Sequence, residues 1–229
     1  MTTELKQIRA LLAKCTVEQK REVFKLLRPD FRIHPLEEKL NVKAEVILEA
    51  IDRASDLTLR GIRGIIAEAF FGQEIVPRLK GWVSLPLEGD FSYDFLLQDP
   101  VGKIRVQVKM QRLKDHRPMM ASEGYRRLPG DMYVVETQRT RGGINPQTKE
   151  DTRPYRYGDF DILAVSMHPS TNDWSRFIYT VCRWLLPRPE DDRLVLKFQP
   201  VPKKPTEAWT DNFGTVVEWF RSGTDRKLL

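Results

Sequence analysis

The chain has 229 residues, 41% hydrophobic and 31% charged, which is enough for one substantial core and too few for two large domains. Its 38 Lys and Arg against 32 Asp and Glu leave a net charge of +6 and a pI near 9.3, which favours an anionic partner, nucleic acid first. No apolar run approaches the roughly 18 residues of a membrane span, and the polar start MTTELKQIR lacks a signal-peptide core, so a cytoplasmic, non-membrane protein is expected.

Leu5, Ile8, Leu11 and Leu12 fall at helical spacing over residues 3–14. Thr16 followed by Gln19 reads as a capping box opening a second helix through about Leu27, stopped by Pro29. A third helical stretch is expected from about Pro35, with Val46, Ile47, Ala50 and Ile51 on one side of its later part. Cys15 and Cys182 form no CxxC pair and are expected to be reduced. His34, His116 and His168 form no HxxxH or HNH-like cluster, which argues against zinc chemistry and a histidine-based nuclease.

Ser55 and Asp56 can cap a helix ending near Gly72, with Leu59, Ile62, Ile66, Ala69 and Phe70 as its buried stripe. Gly61 and Gly64 share a neighbouring face with Glu68, so either something approaches that face closely or the glycines serve helix packing.

Residues 91–110 read as a hairpin whose turn is Asp99, Pro100, Val101 and Gly102, which places Gln98 opposite Lys103 and Asp94 opposite Gln107. One face is apolar: Phe91, Tyr93, Phe95, Leu97, Ile104, Val106, Val108 and Met110. The other gathers Asp94, Arg105, Gln107 and Lys109, which are either the solvated half of a hairpin or hard oxygen ligands beside a cation. Mg²⁺ takes one or two carboxylates and keeps several waters, so Asp94 with the Gln107 amide oxygen and the Val108 carbonyl is a sufficient set. Lys109 would then hold the attacking water or the phosphate, and Glu68 would complete a second ion's shell or contact a metal-bound water.

A short helix is expected over residues 121–127 and a strand over 131–136. The stretch 137–158 reads as a polar loop carrying Arg139, Arg141, Asn145, Gln147, Lys149, Arg153 and Arg156, side chains suited to base edges and phosphates. Phosphate contacts are expected at Arg112 and Lys114. Strands follow over 159–167, 176–186 and 193–198, then a loop at Pro200, Pro202 and Pro205, and a final helix from Asn212 through Arg221. Trp184, Trp209 and Trp219 are expected in the core or at an interface. Helices first and a mixed sheet after them make the fold class α+β (α/β), with a helical region over 1–56 and a second domain over 57–229.

At Asp94, Gln107-Val108-Lys109 and the preceding Glu68 the sequence resembles the PD-(D/E)XK nuclease superfamily, type II restriction endonucleases in particular. Tyr155 to Val165, YRYGDFDILAV, is similar to a later sheet strand of those enzymes. The resemblance implies a restriction-endonuclease-like core, Mg²⁺-dependent cleavage of double-stranded DNA, and commonly a homodimer reading a short palindrome. Asp94, Gln107, Lys109 and Glu68 would be the catalytic residues. Two positions depart from the pattern: Tyr93 stands where Pro is common, and Gln107 where Glu or Asp is expected. A repair or structure-specific nuclease of the same fold, or an inactive nucleic-acid-binding protein, also fits these residues.

Overall fold

The computed structural model describes residues 1–28, 31, 34–139, 142–143, 147 and 152–229. The chain forms two compact units, Met1–Leu59 and Arg60–Leu229. Among the described residues no helix is long and apolar enough to cross a membrane.

In the first unit, α1 (Thr3–Lys14) is capped by the Thr2 hydroxyl. α2 (Val17–Leu27) opens on the expected capping box: Gln19 N–H donates to Thr16 Oγ1 at 3.2 Å and Thr16 N–H to Gln19 Oε1 at 2.9 Å. The expected third helical stretch is two helices, α3 (Leu36–Leu40) and α4 (Ala44–Asp52), because Asn41 takes a left-handed conformation, φ 50°, that a helix cannot pass through. α1, α2 and α4 bury none of their residues. Their connection is polar instead: Arg28 donates to Glu37 and, through Nε, to Glu45 Oε1 at 2.6 Å.

α5 (Asp56–Phe70) runs past its expected end into a π-helical turn, Phe71–Ile75, and a 3-10 turn, Val76–Arg78. The expected buried stripe is displaced: Ala67 and Phe71 are buried while Ile66 is 41% exposed. The reason is that the last turn makes the contact, with Phe71 meeting Phe95 and Phe177 at ring-centroid distances of 5.2 and 5.3 Å. Gly61 and Gly64 face open space, so no element approaches them closely; Gly72 is the glycine under constraint, since a Cβ there would lie 2.8 Å from the Phe95 ring.

The strands are β1 (Val83–Leu85), β2 (Phe95–Gln98), β3 (Lys103–Met110), β4 (Leu113–Lys114), β5 (Arg117–Pro118), β6 (Tyr133–Glu136), β7 (Ile162–Ser166), β8 (Phe177–Val181) and β9 (Phe198–Val201). The remaining helices are α6 (Ala121–Gly124), α7 (His168–Thr171) and α8 (Phe213–Arg221). The main sheet has five strands in the order β1-β2-β3-β7-β8, with β3 and β7 parallel and the other pairs antiparallel. The fold is therefore α+β with a mixed sheet and flanking helices. β7 and β8 are buried at every residue, the product of the runs ILAVS and FIYTV.

Several boundaries differ from expectation: β2, β6 and β7 begin later than expected, at Phe95, Tyr133 and Ile162. α6 stops at Gly124, and β8 stops at Val181 because a 3-10 turn over Cys182–Trp184 turns Trp184 into the core against Trp219, with centroids 5.4 Å apart. Residues 193–198 contribute isolated bridges at Leu194 and Val195, and the strand begins at Phe198. Pro200, expected in a loop, lies within β9, which pairs with β6 alone and so tolerates a residue without an N–H. The stretch 137–158 is partly paired: Gln138 bridges Pro154, and Arg139 N–H donates to Arg153 O at 2.9 Å.

The β2–β3 turn is tied to α8. Asp99 accepts from Val101 and Gly102 N–H at 3.0 and 2.9 Å and receives Arg221 through two bonds of 2.8 and 2.6 Å. Arg221 holds the Asp99 carboxyl at about 2 against its ordinary 3.8. A carboxyl depressed in the folded state stabilises above its ordinary pKa, and that contribution is lost as pH falls from roughly 4 towards 2. In acid titrations followed by circular dichroism, Arg221→Met is expected to flatten this loss and to lower the melting temperature at neutral pH.

Candidate active site

β2 pairs with β3 through Phe95↔Val106, Leu96↔Arg105, Leu97↔Ile104 and Gln98↔Lys103, the register expected from the turn. β3 then continues beyond its partner, and residues 107–110 pair with β7 alone. The Val108 N–H and C=O therefore emerge where β2 has ended, and an unpaired backbone group in a buried strand must find another partner. Asp94, one residue before β2, supplies it: its N–H donates to Val106 O at 3.0 Å, and its Oδ2 accepts from Val108 N–H at 2.7 Å. The Gln107 amide completes the arrangement, with Nε2 donating to Asp94 Oδ2 at 2.5 Å and to Val108 O at 3.1 Å.

This face is not solvated surface. Gln107 is 3% exposed and Tyr155 is 3% exposed, with the Lys109 ammonium 5.4 Å from the centre of the Tyr155 ring. Burial drives the Lys109 pKa down, opposed by the charges of Asp94, Glu68 and Glu136. Burial pushes the Asp94 carboxyl up, opposed by Lys109 and by the bonds from Val108 N–H and Gln107. Glu68 on α5 is raised by desolvation and then by the charge of Asp94, with Lys109 pulling it down. Glu68, Asp94 and Lys109 thus act on one another electrostatically, as two carboxylates and one ammonium. Arg105, on the same face, is committed elsewhere: it binds Asp161 at 2.7 Å and Gly158 O at 2.6 Å.

The donor set is hard oxygen: two carboxylates, an amide and a backbone carbonyl. The Gln107 NH₂ lies between Asp94 Oδ2 and Val108 O, the two oxygens that a divalent cation would share. In this orientation Gln107 presents hydrogens to them, so ligation through Oε1 requires the amide to turn and give up both bonds. Among the described residues no three His, Cys, Asp or Glu side chains converge with metal-ligand spacing.

Glu136 and Tyr155 also belong to the site but were not singled out from sequence. Glu136 lies 3.0 Å from Arg112 and 3.6 Å from Lys197 and acts on Lys109. The Tyr155 ring carries Lys109 on one contact and Arg139 on another, at 5.9 Å. Gln111, next on the strand face after Gln107 and Lys109, is fully buried, and neither amide atom has a partner among the described residues. Lys114 pairs with Glu123 at 3.2 Å, as does Arg117 at 2.7 Å. Gln147, Arg153 and Arg156 are described and each has a partner. Arg141, Asn145 and Lys149 lie outside the described residues.

The amide orientation yields a test. Gln107→Glu removes two hydrogen bonds and sets a third carboxylate beside Asp94, so without a divalent cation the variant is expected to be less stable by about 1–3 kcal/mol. Added Mg²⁺ should raise its melting temperature more than it raises that of the wild type, as measured by scanning calorimetry.

No protein-family model matches the chain, and no curated protein matches it. Among solved structures it is similar to a bacterial homing endonuclease, at 21% identity over 74% of this chain and 96% of that chain, with a TM-score of 0.34.

Proposed function

We propose that the chain is a metal-dependent endonuclease of the PD-(D/E)XK type that hydrolyses phosphodiester bonds of double-stranded DNA at a short recognition site, as type II restriction enzymes do. The observation that carries the reading is the meeting of Asp94, Gln107, the Val108 carbonyl and Lys109 where β3 outruns β2, with Glu68 coupled to Asp94 from α5. Asp94, Glu68, the Gln107 amide oxygen and the Val108 carbonyl would hold Mg²⁺, which supplies charge neutralisation at the phosphate and lowers the barrier to hydrolysis.

The chain's own groups do the rest. Asp94 is fixed by the Val108 N–H, so its second oxygen keeps a defined direction. Lys109 is desolvated and feels the charges of three carboxylates, Asp94, Glu68 and Glu136, which makes it a donor to a phosphate oxygen or to the attacking water. Tyr155 packs over the ammonium and limits where it can point.

The net charge of +6 and the arginines of 137–158 suit a duplex partner. A homodimer reading a palindrome belongs to this proposal, and the exposed Leu5, Ile8, Leu11, Phe24 and Leu27 of α1 and α2 give a second copy an apolar surface to cover. A restriction role implies the prokaryotic cytoplasm. The Gln107 hydrogens facing Asp94 favour a second reading, a DNA-binding protein whose metal site is closed.

Plasmid or phage DNA incubated with the protein and Mg²⁺ separates the readings. Discrete bands abolished by EDTA are expected; intact DNA with retained binding would favour the second reading. Asp94→Ala and Lys109→Ala are each expected to slow cleavage by about 10²-fold or more. Cleavage at the wild-type rate by either variant would sink the site assignment.

A further inference from the structure

Two arginines beside the polar face are held at one end and unsatisfied at the other. Arg112 forms an ion pair through Nη1 with Glu136 at 3.0 Å, and its Nε is buried with no hydrogen-bond partner among the described residues. Arg139 has its Nη2 3.5 Å from Asp159 and its guanidinium over the Tyr155 ring at 5.9 Å, and its Nε is likewise buried and without a hydrogen-bond partner among the described residues. A buried N–H left unbonded costs about 1–3 kcal/mol, more on a charged group, so two such donors beside one site call for an acceptor that arrives from outside.

Both arginines connect to Lys109. Tyr155 carries Arg139 and Lys109 on the same ring. Glu136 serves Arg112 and Lys197 and acts on Lys109 as well. Arg60 adds a further positive charge that acts on Arg112. Arg112 and Lys197 share the one carboxylate of Glu136, and a guanidinium donor is itself cationic, so the acceptor that suits it is anionic. A guanidinium anchored through one Nη and free along its Nε edge matches the planar, two-donor geometry that phosphate takes from arginine.

We propose that Arg112 and Arg139 are phosphate clamps, each donating from its free Nε–H edge to a DNA backbone phosphate next to the one cut at Asp94 and Lys109. Their side chains are 20% and 34% exposed, so a modest outward turn brings the covered Nε to the strand, and the unmet bond of the free chain is repaid on docking. Glu136 and Tyr155 are then positioning residues that tie strand placement to the Lys109 ammonium. The cutting part of this inference rests on the nuclease reading; the phosphate contacts do not require cleavage.

The test is fluorescence anisotropy of full-length protein on a duplex of about 30 base pairs in EDTA, with KCl varied from roughly 50 to 200 mM. Arg112→Ala and Arg139→Ala are each expected to weaken binding roughly tenfold and to flatten the log Kd against log salt slope by about 1. Arg112→Lys and Arg139→Lys keep charge and stem, so they should keep the slope and the melting temperature yet still lose affinity. Alanine variants that bind like wild type would overturn the clamps. Lysine variants that bind like wild type would overturn the Nε edge, leaving charge alone. Wild-type protein that binds no duplex would bring down the nuclease reading as well, whereas binding without cutting would leave the clamps standing.

Discussion

Everything at the site depends on one mismatch of strand lengths: β2 is four residues long and β3 is eight. Where β2 ends, β3 is still paired with β7 on its other edge, so its backbone stays extended while Val108 N–H and C=O lose their strand partner. A strand interior cannot leave such groups bare. Asp94 and Gln107 are the side chains that answer them, and in doing so they bring a carboxylate, an amide and a carbonyl to one point. The same arrangement is thus a repair of the ladder and a cation-binding geometry. The two roles differ only in which way the Gln107 amide faces.

Electrostatics extends that point into a region. Lys109 is desolvated, and three carboxylates act to keep it charged. Glu136 links it to Arg112, while the Tyr155 ring links it to Arg139. Elsewhere in the second unit arginines are spent on structure: Arg105 locks β3 to Asp161, Arg183 donates to Trp219, Phe220 and Thr224 carbonyls, and Arg221 ties α8 to the hairpin turn. Arg112 and Arg139 differ from these in keeping a buried donor that no described residue meets.

Much of this was legible in the sequence because it is local. The Thr16–Gln19 box, the Asp99 turn and the pairing of Asp94 with Gln107 follow from spacing of a few residues and from turn chemistry. The long-range partners were not. Glu136 and Tyr155 sit in segments whose patterns read as an ordinary strand and a polar loop, and nothing in either stretch says that it folds over Lys109. The glycine rule misled at Gly61 and Gly64 and applied instead at Gly72, where an aromatic from another element decides the matter.

The sequence by itself determined the hairpin, its register and the identity of the groups on its polar face, because alternation and turn residues act within about 20 positions. Only the tertiary structure decided that this face is buried, that Glu68 on α5 acts electrostatically on Asp94, and that Glu136 on β6 and the Tyr155 ring act on Lys109. Burial and electrostatic coupling depend on which elements pack together, and packing is set by complementarity across the whole core, which no local pattern encodes.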